Sequence, residues 1–274
     1  MKNQILITFE SLRWDVFQSA EMPYLKSLGT WHKAYTPGTY TFPAHMSFFM
    51  GKLPQTLDGS DDYDPAPLRF QAPGRPVRAR AFWQLTSPET VRPARYRADG
   101  ENIIRGFEKK GYETIGTGAV SWFNSKMPAG KYLTEPFRQF KFFDGPDFSF
   151  HRSAGKQVAW LSDCLKRLRD KPYFLFANFG ETHHPFKFGG CDWEQDATDP
   201  YGDSKQCFER QRRCAEHLDV KIMELLKPLS NFDLVICSDH GEAMGEEGLW
   251  GHGFCHPAVM QVPLLIRESV PDEA

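Results

Sequence analysis

The chain has 274 residues, of which 41% are hydrophobic and 23 are Phe, enough apolar mass for a large buried core, so wholesale disorder is excluded. Lys and Arg total 33 against 35 Asp and Glu, and a net charge of −2 argues against a protein that coats nucleic acid. No run approaches the roughly 20 apolar residues that a membrane span needs.

The elements follow in chain order. Ile5–Phe9 reads as a buried strand ended by Glu10. Pro43 opens a short helix through Met50, which Gly51 and Pro54 stop. Residues 101–110 carry helical spacing up to Gly111, and Tyr112–Val120 follows as a strand. A helix is expected over 153–170, then a buried strand over Tyr173–Phe179. Residues 204–227 form the longest helical stretch, Phe232–Cys237 the next strand, and Val262–Ile266 the last. This alternation predicts an α/β fold with a mostly parallel central sheet and helices on both faces.

One domain is expected over 1–274, interrupted by an insertion at about 58–98. Between Ala66 and Ala98 there are seven Arg and one acid, Glu89. Base rates favour a solvated excursion; the alternative is a guanidinium wall that attracts an anionic substrate. Ile5-Leu6-Ile7 is too short for a signal-peptide core, so the expected location is cytoplasmic. The six Cys form no Cys-x-x-Cys pair, and free thiols are expected.

In open α/β sheets, ligands bind beyond the carboxyl ends of the strands. There the sequence places Glu10, then Glu181-Thr182-His183-His184, then Ser238-Asp239-His240-Gly241-Glu242. Carboxylates and imidazoles converging on one sheet edge are what a divalent metal requires, and Zn or Mn suits this mixture. Thr41 stands at the mouth of the helix that Pro43 opens. A helix N-terminus stabilises an alkoxide and attracts phosphate-like anions, which makes Thr41 a candidate nucleophile once a metal lowers its pKa. The plainer alternative is a helix cap.

These residues resemble the alkaline phosphatase superfamily, in its sulfatase-like and phosphodiesterase branch. Ile5 to Asp15 resembles the family's first strand with its metal carboxylate. Thr41-Phe42-Pro43-Ala44-His45 is similar to the threonine nucleophile motif. Glu181 to Phe186 resembles the Asp-Pro-His-x-Pro-Tyr element. Ser238 to Glu242, with Gly251-His252-Gly253 downstream, resembles the late metal motif, and Val262-Pro263-Leu264-Leu265 the strand after it. The resemblance implies an alkaline-phosphatase-like sandwich in a short form, without a carboxy-terminal subdomain. It implies that Glu10, Thr41, Asp239 and His240 bind one metal. It makes Thr41 the covalent nucleophile, with His183 and His252 binding substrate oxygens or protonating the leaving group. His45, His184, Asn124 and Lys126 are expected near the substrate. Arg13 and Asp15 are expected to form a supporting ion pair.

Three departures sharpen the expectation. Glu10 stands where most relatives have Asp, as in manganese-dependent phosphoglycerol transferases. True sulfatases convert a Cys or Ser to formylglycine, and position 41 is Thr. The Asp-x-x-x-His pair of two-zinc members is missing, since Pro185 lies four residues after Glu181. A second site would have to be built differently, from His183, His184 and His252. The expected activity is hydrolysis of a small anionic phosphoester or phosphonate ester. The alternatives are transfer to an alcohol, a sulfatase, a phosphomutase, or a non-catalytic metal-binding module. The basic, proline-rich stretch from 58 to 98 is the main candidate for completing the pocket, aided by a second copy or a partner subunit.

Overall fold

Alternation along the first strand, β1 (Asn3–Phe9), decides which side of the sheet each residue serves. Ile5, Ile7 and Phe9 enter one hydrophobic core, while Leu6 packs against the other. The computed structural model describes residues 1–52, 101–143, 152–168, 170–193 and 199–269, so the expected insertion at 58–98 lies outside the described residues. The other strands are β2 (Trp31–Tyr35), β3 (Glu113–Gly118), β4 (Gln139–Phe142), β5 (Tyr173–Phe179), β6 (Phe232–Ser238), the two-residue pair β7 (Ala243–Met244) and β8 (Trp250–Gly251), and β9 (Gln261–Arg267).

Seven of these form one sheet in the order β2-β9-β6-β1-β5-β3-β4. From β6 to β4 all neighbours are parallel. The last strand, β9, runs antiparallel to both β6 and β2, so it closes the sheet against the parallel run. Every residue of β5 is buried, as expected of a strand covered on both faces.

Helices α1 (Trp14–Ser19), α2 (Pro23–Ser27), α6 (Ala154–Leu168) and α7 (Ser204–Leu226) cover the face of Ile5 and Ile7. On α7, Leu218, Ile222 and Leu225 recur at helical spacing and are buried there. Asp203 caps α7 by accepting from Gln206 N at 2.9 Å. Asp219, midway along α7, accepts from Leu25 N at 2.7 Å and so satisfies the first turn of α2, which has no side-chain cap of its own. Helices α3 (Thr41–Met50), α4 (Ile103–Lys109) and α5 (Pro128–Thr134) cover the opposite face through Phe42, Phe49, Ile104 and Leu133. A last short helix, α8 (Pro257–Met260), leads into β9. All six cysteines are free and buried. Among the described residues, no helix is long and apolar enough to cross a membrane.

The helix expected to open at Pro43 begins two residues earlier. Tyr40 is its N-cap, and Thr41 is its first helical residue. Thr41 is therefore not a cap.

Candidate active site

Because β1, β5 and β6 are parallel neighbours, their carboxyl ends meet at one edge. Pairing continues one residue beyond the strands: Glu10 N donates to Phe179 O at 2.9 Å, and Asp239 N donates to Phe9 O at 3.1 Å. This locks Glu10 and Asp239 side by side. Strand parity sends the Glu10 side chain to the face of Leu6 and Thr8, where α3 lies. There Thr41 Oγ1 donates to Glu10 Oε1. The second oxygen, Oε2, accepts from Asn178 Nδ2 at 3.0 Å.

Asp239 uses only one of its oxygens. Oδ1 accepts from Ser11 N at 3.0 Å and His240 N at 2.8 Å, while the buried Oδ2 has no hydrogen-bond partner. His240 Nδ1 donates to Gly241 O at 2.8 Å, which leaves Nε2 with its lone pair. That Nε2 is also buried without a partner, 3.5 Å from Glu10 Oε1 and 3.6 Å from Asp239 Oδ2. The ligand atoms of Glu10, Asp239 and His240 lie within 4.8 Å of one another. Two orphaned acceptors beside a second carboxylate suit a divalent cation, because buried polar atoms otherwise find partners. Burial opposes ionisation of Glu10, but with a proton on His240 Nε2 the hydrogen bond and charge of that ring, joined by the charges of His183 and His45, outweigh it and bring Glu10 to about 2. Burial, reinforced by the Glu10 charge, pushes Asp239 well above the usual carboxylate range.

Gly241 allows this turn to form. A Cβ there would meet Ala258 O at 2.1 Å, and Gly241 N donates to Val259 O at 2.7 Å. The metal-facing turn is thus pressed onto α8. Arg13 clamps it from the other side. Its guanidinium pairs with Asp15 at 2.6 Å, as the sequence suggests, and also reaches Glu246 at 2.5 Å and Glu242 O at 3.2 Å.

An arc of imidazoles lies beside the cluster. The His252 ring is 4.3 Å from His240 and 5.3 Å from His183. His252 Nδ1 donates to Glu242 Oε2 at 2.7 Å, and Tyr201 donates its hydroxyl to Glu242 Oε1. Burial opposes the charge on Glu242, but His252, His183 and Tyr201 outweigh it and hold the carboxylate well below its usual range. His240, Glu242 and His252 make a second group whose ligand atoms lie within 4.8 Å. His183 Nδ1 donates to His184 O at 2.7 Å.

Two expected substrate contacts are corrected by the geometry. His45 is fully buried. Its Nδ1 donates to Thr41 O at 2.8 Å, Nε2 accepts from Thr8 Oγ1 at 3.0 Å, and Phe48, Phe49, Phe123 and Phe176 surround the ring. It supports the first turn of α3 and has no open face for a substrate; burial lowers its pKa to about 4. His184 turns aside to bond Asp199 at 2.6 Å and stack on Tyr201 with ring centres 3.8 Å apart. Asn124 Oδ1 accepts from Lys126 N at 3.0 Å and so serves its own loop after β3, with Lys126 exposed.

Sequence reasoning missed Asn178, Glu242 and Tyr201. Asn178 carried a signal, as the one polar residue in the otherwise apolar Tyr173–Phe179. Glu242 stood inside the late motif with no role assigned. Nothing local marks Tyr201.

A family model described as Sulfatase matches residues 2–270. The choline-sulfatase of Rhizobium meliloti (strain 1021) is 21% identical, over 96% of this chain and 62% of its own length. The chain thus spans less than two thirds of that curated relative. Among solved structures, the C-terminal periplasmic domain of phosphoethanolamine transferase EptC from Campylobacter jejuni superposes with a TM-score of 0.64 at 13% identity, covering 97% of this chain and 80% of that one. The corresponding EcEptC domain from Escherichia coli, in complex with Zn, gives 0.61 at 13% identity, covering 98% and 73%. The lipoteichoic acid synthase LtaP from Listeria monocytogenes gives 0.59 at 11% identity, covering 99% and 66%. At these identities the structural likeness speaks for the fold. Enzymes of this superfamily are hydrolases or transferases acting on sulfate or phosphate esters, and they bind divalent metal. The chain belongs to the sulfatase family, within the alkaline phosphatase superfamily.

Proposed function

We propose that the chain is a metal-dependent hydrolase of small anionic phosphoesters or phosphonate esters, working through a covalent phosphothreonine at Thr41. One observation carries this reading: the Thr41 hydroxyl, at the start of α3, donates to Glu10 beside the open donor atoms of Asp239 and His240. Glu10, Thr41, Asp239 and His240 would hold the ion, Zn or Mn. When bound, it lowers the pKa of the hydroxyl and offsets charge on the phosphoryl oxygens.

The protein's own groups do the rest. Thr41 Oγ1 gives up its proton to water and attacks phosphorus, while Glu10 stays ionised. The first backbone N–H groups of α3 face the phosphoryl oxygens. His183 or His252 gives a proton to the leaving oxygen. Water then displaces Thr41. If an alcohol displaces it instead, the enzyme is a transferase. That second reading is supported by the fold likeness to the EptC phosphoethanolamine transferase domains. Aldehyde-based sulfatase chemistry is disfavoured, because Thr41 is neither Cys nor Ser.

The test is a panel of nitrophenyl phosphate, bis-nitrophenyl phosphate, phosphonate and sulfate esters, with Zn or Mn. Wild type should favour the phosphorus esters and yield a trapped phosphothreonine, and Thr41→Ala should do neither. Equal rates for the two proteins, or preferred turnover of the sulfate ester, would overturn the reading.

A further inference from the structure

Tyr201, Glu242 and His252 form a continuous hydrogen-bonded line that ends in the site. Each oxygen of the fully buried Glu242 carboxylate is taken by one donor, Oε1 by the Tyr201 hydroxyl and Oε2 by His252 Nδ1. His252 itself sits between Gly251 and Gly253, both at positive φ (86° and 93°), so its backbone alone does not fix the ring. The 2.7 Å bond to Glu242 does. With Nδ1 committed to Glu242, Nε2 is the atom left for the reacting centre. The neighbouring imidazole differs in this respect. His183 Nδ1 donates to the backbone carbonyl of His184 rather than to a carboxylate.

We infer that Glu242, steadied by Tyr201, is a positioning residue that holds His252 so that its Nε2 delivers the proton to the leaving oxygen. The inference rests on the phosphoester reading above and decides between the two histidines it leaves open. The step balances. Thr41, its hydroxyl proton already lost to water, bonds phosphorus through Oγ1, the bond from phosphorus to the leaving oxygen breaks, and the Nε2 proton moves to that oxygen. Nδ1 keeps its proton on Glu242. His252, now neutral, takes a proton at Nε2 from the water or alcohol that breaks the phosphorus–Thr41 bond.

Esters of graded leaving-group basicity test this, because nitrophenolate departs without a proton and an alkoxide does not. Glu242→Gln removes the negative acceptor at His252 Nδ1, so the imidazolium that must donate from Nε2 loses its support. For this variant kcat/KM should fall by about 100-fold or more on an alkyl phosphoester, and by less than about 10-fold on the nitrophenyl ester. Tyr201→Phe should bend the series the same way by a smaller factor, and Glu242→Asp should recover part of the alkyl rate. His252→Ala should reproduce the slope, and His183→Ala should not. Metal content is measured alongside and should match wild type. Equal losses on both esters with metal retained, or the slope appearing in His183→Ala alone, overturns the inference. If Glu242→Gln does not fold, Tyr201→Phe decides by the same slope. Failure of the underlying reading is seen separately, as absence of a trapped phosphothreonine on wild type.

Discussion

Asn178 Nδ2 on β5 donates to Glu10 Oε2 at 3.0 Å, and the same amide donates to Thr8 Oγ1 at 3.0 Å. One side chain therefore fixes the Glu10 carboxylate in the orientation that leaves Oε1 for Thr41. Thr8 passes the order on to His45, and His45 to the backbone of Thr41. Asn178→Ala removes the donor while leaving every ligand atom in the sequence. Metal affinity should fall roughly 10–100-fold, the usual cost of losing an outer partner of a ligand. Titration against a chelating indicator measures it, and an unchanged affinity would show that Glu10 orients itself.

Two buried carboxylates, Glu10 and Asp239, lie beside one another and repel when both are ionised. A divalent ion between them should stabilise the fold. Chelation should lower Tm, and Zn or Mn added at 100 times its Kd should restore about 2.7 kcal/mol. Calorimetry with and without chelator checks this. The same comparison on Asp239→Asn should show a much smaller metal-dependent rise.

Gly241→Ala drives a methyl group into Ala258 O and must lift the Ser238–Glu242 turn off α8. The clash is with backbone, so no rotamer change relieves it. A loss of about 1–3 kcal/mol is expected, as for other overpacked sites, together with weaker metal binding. Denaturant melts and metal titration test the two effects together. Full stability in the variant would mean that α8 moves freely.

Glu181 supplies a pH dependence away from the metal cluster. Burial raises its carboxyl to about 7, despite hydrogen bonds from backbone groups that include Ala154 N at 2.7 Å. In the unfolded chain it ionises near its ordinary value. Between these limits the folded protein binds more protons than the unfolded chain. Its contribution is therefore fully present at low pH and is lost as pH rises from about 4.5 to about 7, a change on the order of 3 kcal/mol. Glu181→Gln should abolish that slope, so the variant gains on wild type as pH rises. Urea melts of the metal-free proteins at pH 5 and pH 8 measure the difference, and parallel profiles would refute it.

How far the sequence speaks depends on where each signal originates. The bounds of β5 are legible because a strand buried on both faces is apolar from end to end. α7 is legible from its own period. β2 is not, because Trp31–Tyr35 lies at the sheet edge with three of its five residues exposed, and no buried face imposes a pattern. The antiparallel direction of β9 is equally silent, since it depends on which neighbour the strand meets. The same division holds for the site. Glu10, Asp239 and His240 announce themselves as polar residues just past buried strands, where parallel topology brings them together. Asn178 and Tyr201 act on partners 168 and 41 residues away, and only the assembled sheet reveals those contacts. The inward turn of His45 is not legible, because its motif says nothing of helix phase. One turn after Thr41, the ring points into the aromatic layer.

The contact between Ser11 N and Asp239 Oδ1 spans 228 positions of sequence. A nascent chain halted before Phe232 already owns Glu10 and Thr41 but neither Asp239 nor His240. The cluster closes only when β6 takes its place beside β1. A truncated product is left with a hydroxyl and one carboxylate, too few donors to grip an ion. The order of residues along the chain thus withholds the cluster's full donor set until the residues after β6 have been made.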